Sequence, residues 1–387
     1  MELFIFDSMF YIRQHILNII GQYQLQLPLH HYLRDYFRKQ PQLGSRDRRA
    51  IADAVYAFYR AKPFLNSGNE LWEEVRKSLC MVNTGNAFLR KILQADADYA
   101  PSQKPVLQHP LPELSAGILT EDYADALLQQ PDVFIRLLRR EKENLQMIRQ
   151  HFPDVTVIDS PFFKDRILRL PGNSQLQHIL PESDYIIQDL SSQLSLPIAL
   201  THITSKIQNS KFLKAWDVCS GAGGKTILLK NIIPDAHIVA TDIRESILHN
   251  LRKRIKQYRL NNIITLKADV AAHADGVKPY APFDCIICDV PCSGSGTWAR
   301  TPEQHYFFHT NTLNNFSDRQ FQIASNAQQH IQAGGYLLYI TCSVFKAENE
   351  AVTARLAEAT GLSVLHQQII NGTKEKADSM FVAIMKK

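Results

Sequence analysis

From about residue 186 to residue 387, apolar runs of strand length alternate with helical stretches, and this alternation constrains the fold more than any other feature of the chain. "FLKAWDVCS", "HIVATDI", "IITLKADV", "FDCIICDV" and "GYLLYITC" read as strands. Between them lie "KTILLKNII", "ESILHNLRKRIKQYRL" and a polar helix at about 313–332; a helix at about 347–359 and the strands "LSVLHQ" and "FVAIMK" follow. Strands separated by helices must cross over to pair in parallel, so the pattern predicts a doubly wound α/β sheet. Ligands of such sheets collect at the carboxyl ends of the strands.

The residues at those ends carry the chemistry. Four successive strands are expected to finish on an acid: Asp217, Asp242, Asp269 and Asp289. One such Asp is ordinary, because Asp suits turns. Four along one edge repel each other unless a ligand with hydroxyls, amines or positive charge bridges them. The first strand runs into "CSGAGGKT", a glycine-rich turn that lets backbone N–H groups approach a ligand at a helix start. Two residues between Gly221 and Gly224 exclude a phosphate-binding P-loop, and the spacing is not G-x-G-x-x-G. Asp242 stands about 20 residues past the loop, where an acid accepts both hydroxyls of a ribose. With Asp269 placed for an adenine amine, an adenosine-containing cofactor is expected. The sulfonium of S-adenosylmethionine suits an acidic edge better than a pyrophosphate does.

Six cysteines are present. Cys285 and Cys288 are three apart on a strand, point to opposite faces and read as small core residues rather than metal ligands. No metal is expected. Cys80 and the Cys219 side chain read as structural. Cys292 and Cys342 differ, because each follows a strand on a Ser- and Gly-containing turn, and behind Cys342 an acidic helix start, "AENE", follows. Neighbouring strand ends would bring the two thiols to one cleft. A reactive thiolate needs a positive or hydrogen-bonding environment, for which Lys225, Arg300 and backbone N–H groups are candidates.

Three domains are expected: helical 1–128, a small α+β module at 129–185, and 186–387. A chain of 387 residues exceeds one ordinary core. Leu29, Leu33, Tyr36 and Phe37, and Ile51, Val55, Phe58 and Tyr59, repeat at helical spacing. The first 20 residues read as a packed helix rather than a signal peptide, since Glu2 and Asp7 come early. Ser45 is expected to cap the helix after it. Arg46, Arg48 and Arg49 at that end read as a solvated terminus or as a phosphate-contacting patch. Residues 94–117 read as an irregular connection. "DVFIRLL" and "RILRL" read as strands around the helix "EKENLQMIRQHF". A net charge of +5 permits a polyanionic partner. No apolar run is long enough to span a bilayer, so the cytoplasm is the expected location.

"WDVCSGAGGKT", "ATDI", "KADV", "FDCIICDVPCSGSGTWARTPE" and "GGYLLYITCSVFKAENE" resemble, in order, the motifs of the RNA cytosine-C5 methyltransferases, most closely the bacterial Sun/Fmu branch acting on 16S ribosomal RNA. The resemblance is specific over about 186–385. It implies a class I, Rossmann-like methyltransferase domain with a seven-stranded, mostly parallel sheet, an RRM-like small module and a NusB-like, RNA-binding helical domain. It implies S-adenosylmethionine held by Cys219, Ser220, Gly221, Ala222, Gly223, Gly224 and Lys225, with Asp242 on the ribose, Asp269 on the adenine and Asp289 beside both cofactor and base. It makes Cys342 the nucleophile at cytosine C6 and Cys292 the group that assists release. RNA is the implied partner, with no DNA and no membrane, and a monomer is plausible. Two alternatives stand beside this reading: a non-catalytic RNA-binding or ribosome-assembly protein that retains the fold, and the same chemistry on tRNA. Gly221–Ala222 stand where the family usually has Ala-Pro, and Glu303 where it usually has Asp.

Overall fold

A computed structural model describes residues 2–66, 68–82, 84–94, 105–203 and 213–387. The chain forms two compact units. The first comprises Met1–Leu111, Thr120–Gln130 and Trp298–His309. Its helices are α1 (Glu2–Gln22), α2 (Leu29–Arg38), α3 (Ser45–Ala61), α4 (Leu71–Met81), α5 (Ala87–Gln94) and α6 (Thr120–Leu127). Apolar residues three and four apart make one face of each helix, and these faces meet. Ile12, Ile16 and Ile19 of α1, Leu33 of α2, Ile51, Val55 and Phe58 of α3, and Val75 and Leu79 of α4 form the core.

Residues 298–309, which follow the Pro-Cys segment in the chain, fold into this helical unit. Phe307 sets its ring edge-on to Tyr23 with centroids 5.8 Å apart. Arg60 donates to the Ala299 carbonyl at 2.8 Å, and the buried Glu303 carboxylate accepts the Leu29 N–H at 3.3 Å. The Ser45 cap is corrected. Gly44, in extended conformation, is the N-cap with no side-chain bond, Ser45 is already helical, and Asp47 supplies the first-turn negative charge. Residues 95–104 of the expected irregular connection lie outside the described residues.

The second unit comprises Pro112–Leu119, Pro131–Thr297 and Thr310–Lys387. Strands β1 (Val133–Leu137), β2 (Thr156–Ile158), β3 (Ile167–Leu170) and β4 (Tyr185–Ile187) form an antiparallel sheet in the order β2-β3-β1-β4, accompanied by α7 (Glu141–His151). The larger sheet uses β5 (Lys214–Asp217), β6 (His237–Asp242), β7 (Ile263–Lys267), β8 (Phe283–Asp289), β9 (Ile331–Thr341), β10 (Ser363–Ile370) and β11 (Met380–Lys386). Its order is β10-β11-β9-β8-β5-β6-β7. Strands β9, β8, β5, β6 and β7 are parallel, and β11 runs antiparallel between β9 and β10. Helices α8 (Leu190–Thr201), α9 (Gly224–Ile232), α10 (Glu245–Tyr258), α12 (Leu313–Gln328) and α13 (Glu350–Thr360) belong to this unit, and α11 (Pro302–Tyr306) to the helical one. This is the expected doubly wound architecture.

The central strands carry mostly apolar residues in their middles because both faces are covered. Cys285, Ile287, Leu338 and Ile340 enter one core layer. Trp216, Ile286, Cys288, Leu337 and Tyr339 enter the other. The two cysteines of "CIIC" therefore point to opposite faces. Arg136 of β1 is buried and lies over the Phe163 ring. It donates to Asn231 Oδ1 on α9 at 2.9 Å and to Gln188 Oε1 at 2.8 Å. Among the described residues no helix is long and apolar enough to cross a membrane.

Candidate active site

Strands β8, β5, β6 and β7 are parallel neighbours, so their carboxyl ends share one edge. Asp217, Asp242 and Asp289 close their strands there, while Asp269 stands exposed two residues beyond β7, which ends at Lys267. The loop after β5 is held from several sides. Thr241 Oγ accepts the Trp216 indole N–H at 2.9 Å and donates to the Val218 carbonyl at 2.7 Å. The Ser220 N–H donates to the Thr241 carbonyl at 2.8 Å. The Gly221 N–H donates to Asp242 Oδ2 at 3.0 Å. Gly223, with φ of +89°, turns the chain into α9, and a Cβ there would meet Leu251 Cδ1 at 2.3 Å. Only glycine satisfies both constraints.

The acids are not equivalent. Asp242 accepts the Arg244 N–H at 2.9 Å and its Nε at 3.2 Å, so its carboxylate orientation is set. Asp217 is fully buried; Oδ2 accepts the Thr226 hydroxyl at 2.5 Å, while Oδ1 has no hydrogen-bond partner. Burial pushes its pKa up to about 7, with Asp289 adding to the rise and Thr226 and Lys225 opposing it. Lys225 is buried at the start of α9. Its Nζ donates to Ser192 Oγ at 2.9 Å and pairs with Asp289 Oδ2 at 3.1 Å. The Ser220 hydroxyl is buried and also lacks a partner. These orphaned oxygens on Asp217 and Ser220, with open space around the Gly221 Cα, fit a ligand bearing donors and positive charge at the loop.

The thiols meet beside the acids. In the parallel pair β8–β9, Asp289 is level with Ile340, so both strands release their loops at the same height. Cys292 Sγ and Cys342 Sγ are 3.1 Å apart, and both residues are half-buried. The hydrogen bond with Cys342, then burial and the negative charge of Glu348, push the Cys292 thiol well above its ordinary pKa. Cys219 is raised too, by burial first and then by Asp217, Asp242 and Asp289, which makes it a poor nucleophile. Cys80 lies in α4 of the helical unit, as Arg300 lies in its 298–309 segment.

Several residues of this site had no sequence signal. Gly296 is wedged behind the thiol loops: its N–H donates to the Cys342 carbonyl at 2.8 Å, and its own carbonyl accepts the Ser379 N–H at 2.9 Å. Thr341 donates to Asn349 Oδ1 at 2.5 Å. Glu348, in the segment read as an acidic helix start, is fully buried. Ser192 bonds Lys225 from α8. Each of these depends on segments that meet only in three dimensions.

The sheet order with its antiparallel β11 insertion and the glycine loop after the first strand are those of the class I, Rossmann-like methyltransferase fold. Solved structures agree on the fold. "PH0851" matches with a TM-score of 0.67 at 16% identity, covering 97% of this chain and 98% of that one. NSun6 from Pyrococcus horikoshii, solved with SFG, matches with a TM-score of 0.53 at 14% identity over 67% of this chain and 91% of that one. Residues 203–384, just under half of the chain, match the family described as 16S rRNA methyltransferase RsmB/F. The ribosomal RNA small subunit methyltransferase B of Yersinia pestis bv. Antiqua (strain Angola) is 27% identical over 237 residues, 58% of this chain and 51% of that protein. That of Photorhabdus laumondii is 30% identical over 174 residues, 44% of this chain and 38% of that protein. The chain thus spans about half the length, or less, of the curated relatives it matches.

Proposed function

We propose that this chain is an S-adenosylmethionine-dependent methyltransferase acting at cytosine C5 of RNA, with small-subunit ribosomal RNA as its substrate. The observation that carries the reading is the contact of Cys292 and Cys342 at 3.1 Å beside an acid-tipped sheet edge. Carbon 5 of cytosine is a poor nucleophile until a thiolate adds at carbon 6, which divides one hard step into two easier ones. S-adenosylmethionine, when bound, supplies an electrophilic methyl group. The loop Cys219–Lys225 would hold it, with Asp242 toward the ribose and Asp269 toward the adenine. Lys225 holds the Asp289 carboxylate in place, where it would hydrogen-bond the base edge as charge develops.

The pairing of thiols supports a division of labour. Cys292 keeps its proton, because its hydrogen bond with Cys342 is the largest cause of its raised pKa. Cys342 is then the sulfur assigned to add at carbon 6. Once Cys342 is bonded to carbon 6, that hydrogen bond is gone and Cys292 becomes more acidic. Having released its own proton to solvent, Cys292 as thiolate takes the carbon 5 proton, the electron pair of that C–H bond re-forms the C5–C6 double bond, and Cys342 leaves as thiolate. The base must be unpaired or unstacked to reach this edge. The helical 1–128 and small 129–185 modules are assigned to RNA binding, and the cytoplasm is the assigned location.

Incubation with methyl-labelled cofactor and 16S RNA is expected to label cytosine C5. Cys342→Ala should abolish labelling. Cys292→Ala should accumulate a denaturant-resistant RNA–protein adduct. Undiminished methylation by Cys342→Ala would refute the mechanism, and failure of the cofactor to bind in calorimetry would refute the activity.

A further inference from the structure

We infer that Glu348 is the positioning residue that sets the distance between the two thiols. Cys292 and Cys342 sit on separate loops, after β8 and β9, and no backbone bond is needed between the two sulfurs for the sheet to form. The Gly296 N–H on the Cys342 carbonyl and the Ser295–Ser343 hydroxyl contact at 3.0 Å tie the loops together, and one carboxylate grips both of them next to the thiols. Glu348 is fully buried and accepts the Ser293 N–H at 2.8 Å, the Ser293 hydroxyl at 2.5 Å, the Ser343 hydroxyl at 2.5 Å and Gln320 Nε2 at 2.9 Å. Ser293 directly follows Cys292, and Ser343 directly follows Cys342. A single acceptor-only group therefore grips the residue after each thiol, and four donors are what an ionised carboxylate can satisfy.

Its own placement is over-determined. The Tyr339 hydroxyl donates to the Glu348 carbonyl at 2.6 Å, with Gln320 Oε1 3.1 Å from the same hydroxyl oxygen. Gln320 also donates to the Pro291 carbonyl at 3.0 Å, just before Cys292. The next residue, Asn349, accepts the Thr341 hydroxyl at 2.5 Å and donates to the Ser343 carbonyl at 2.9 Å, on either side of Cys342. The carboxylate touches neither sulfur in this network. It acts through the two serines. Holding reacting groups by locked neighbours in this way is what separates an active pair from two nearby residues.

The inference rests on the proposed pairing of the thiols in one reaction, and its test is chosen to stand apart from that reading. Diamide removes one hydrogen from each thiol; the two sulfurs bond and the diamide is reduced to its hydrazine. The rate of Cys292–Cys342 disulfide formation in the full chain, followed by peptide mass after alkylation, therefore reports the distance between the sulfurs without RNA or cofactor. In Glu348→Gln either amide orientation turns N–H bonds toward groups that now donate. Disulfide formation is expected to slow about ten-fold or more, in keeping with the steep cost of an ångström of misplacement. Cofactor affinity and circular dichroism should stay as in the wild type, and methylation should lose kcat without a change in KM for RNA. Ser343→Ala and Ser293→Ala, each removing a hydroxyl that bonds Glu348 and also touches Ser295, should slow the disulfide by an intermediate factor, and they decide the matter if Glu348→Gln does not fold. Wild-type disulfide rates in a folded Glu348→Gln, or in both serine variants, would overturn the inference. A wild-type chain that methylates no RNA would refute the proposed function and leave the thiol measurement intact.

Discussion

Asp217 offers a direct test of the electrostatics at the sheet edge. Its carboxyl is fully buried, one oxygen is unpartnered, and its pKa is raised to about 7. In the unfolded chain it returns to about 3.9. Between these values the folded protein holds a proton that the unfolded chain releases, so stability falls as pH rises. The contribution is fully present below about pH 4 and is lost by the time pH passes 7. About three pKa units at 1.36 kcal/mol each amount to about 4 kcal/mol, of which about 3 kcal/mol falls between pH 5 and 8. Asp217→Asn cannot ionise and still offers an oxygen to the Thr226 hydroxyl. Its added N–H bonds have no evident acceptor, a pH-independent cost of about 1–3 kcal/mol. Urea unfolding followed by hydrogen exchange of β5 peptides, without cofactor, isolates this unit. From pH 5 to 8 the variant should gain about 3 kcal/mol on the wild type, with the difference flat above pH 8. Parallel pH profiles for the two proteins would show that Asp217 is ionised when folded, and the reasoning would fail.

Three further outcomes are expected. Gly296→Ala should destabilise the larger unit by about 3 kcal/mol or more, read as a lowered denaturant midpoint, because the new Cβ would fall 1.9 Å from the Ser379 carbonyl oxygen and 3.0 Å from that of Cys342. Gly223→Ala should weaken binding of S-adenosylmethionine in calorimetry, since φ of +89° and the Leu251 side chain force the loop to move. His305, stacked on Trp298 with centroids 4.5 Å apart, is lowered by burial to about 4. The unfolded chain takes up that proton as pH falls through 6.5, so the helical unit should lose about 3 kcal/mol between pH 6.5 and 4. His305→Phe should flatten that loss in acid-melting curves, and an unchanged acid transition would refute the assignment.

The two three-residue strands β2 and β4 escaped the sequence reading because three residues carry no measurable period. The Ser45 cap failed because a glycine in extended conformation ended the preceding turn one residue earlier. Asp217, Asp242 and Asp289 were legible, because a residue that closes an apolar run lies at a strand end and alternation with helices forces such ends to one side; Asp269 fell two residues past its strand. Cys292 and Cys342 were legible as a pair for the same reason.

Glu348 marks the boundary between the two kinds of knowledge. Strand and helix periods, the glycine turn and the strand-end addresses of acids and thiols follow from local order along the chain, since each is decided by neighbours a few residues away. Which strands adjoin, that an acid in a polar stretch is walled in by Ser293, Ser343 and Gln320, and that residues 298–309 fold with the helical unit were decided only in the tertiary structure. Hydrogen-bond partners 28 to 55 residues distant leave no periodic trace, because burial depends on what the rest of the chain brings to the spot.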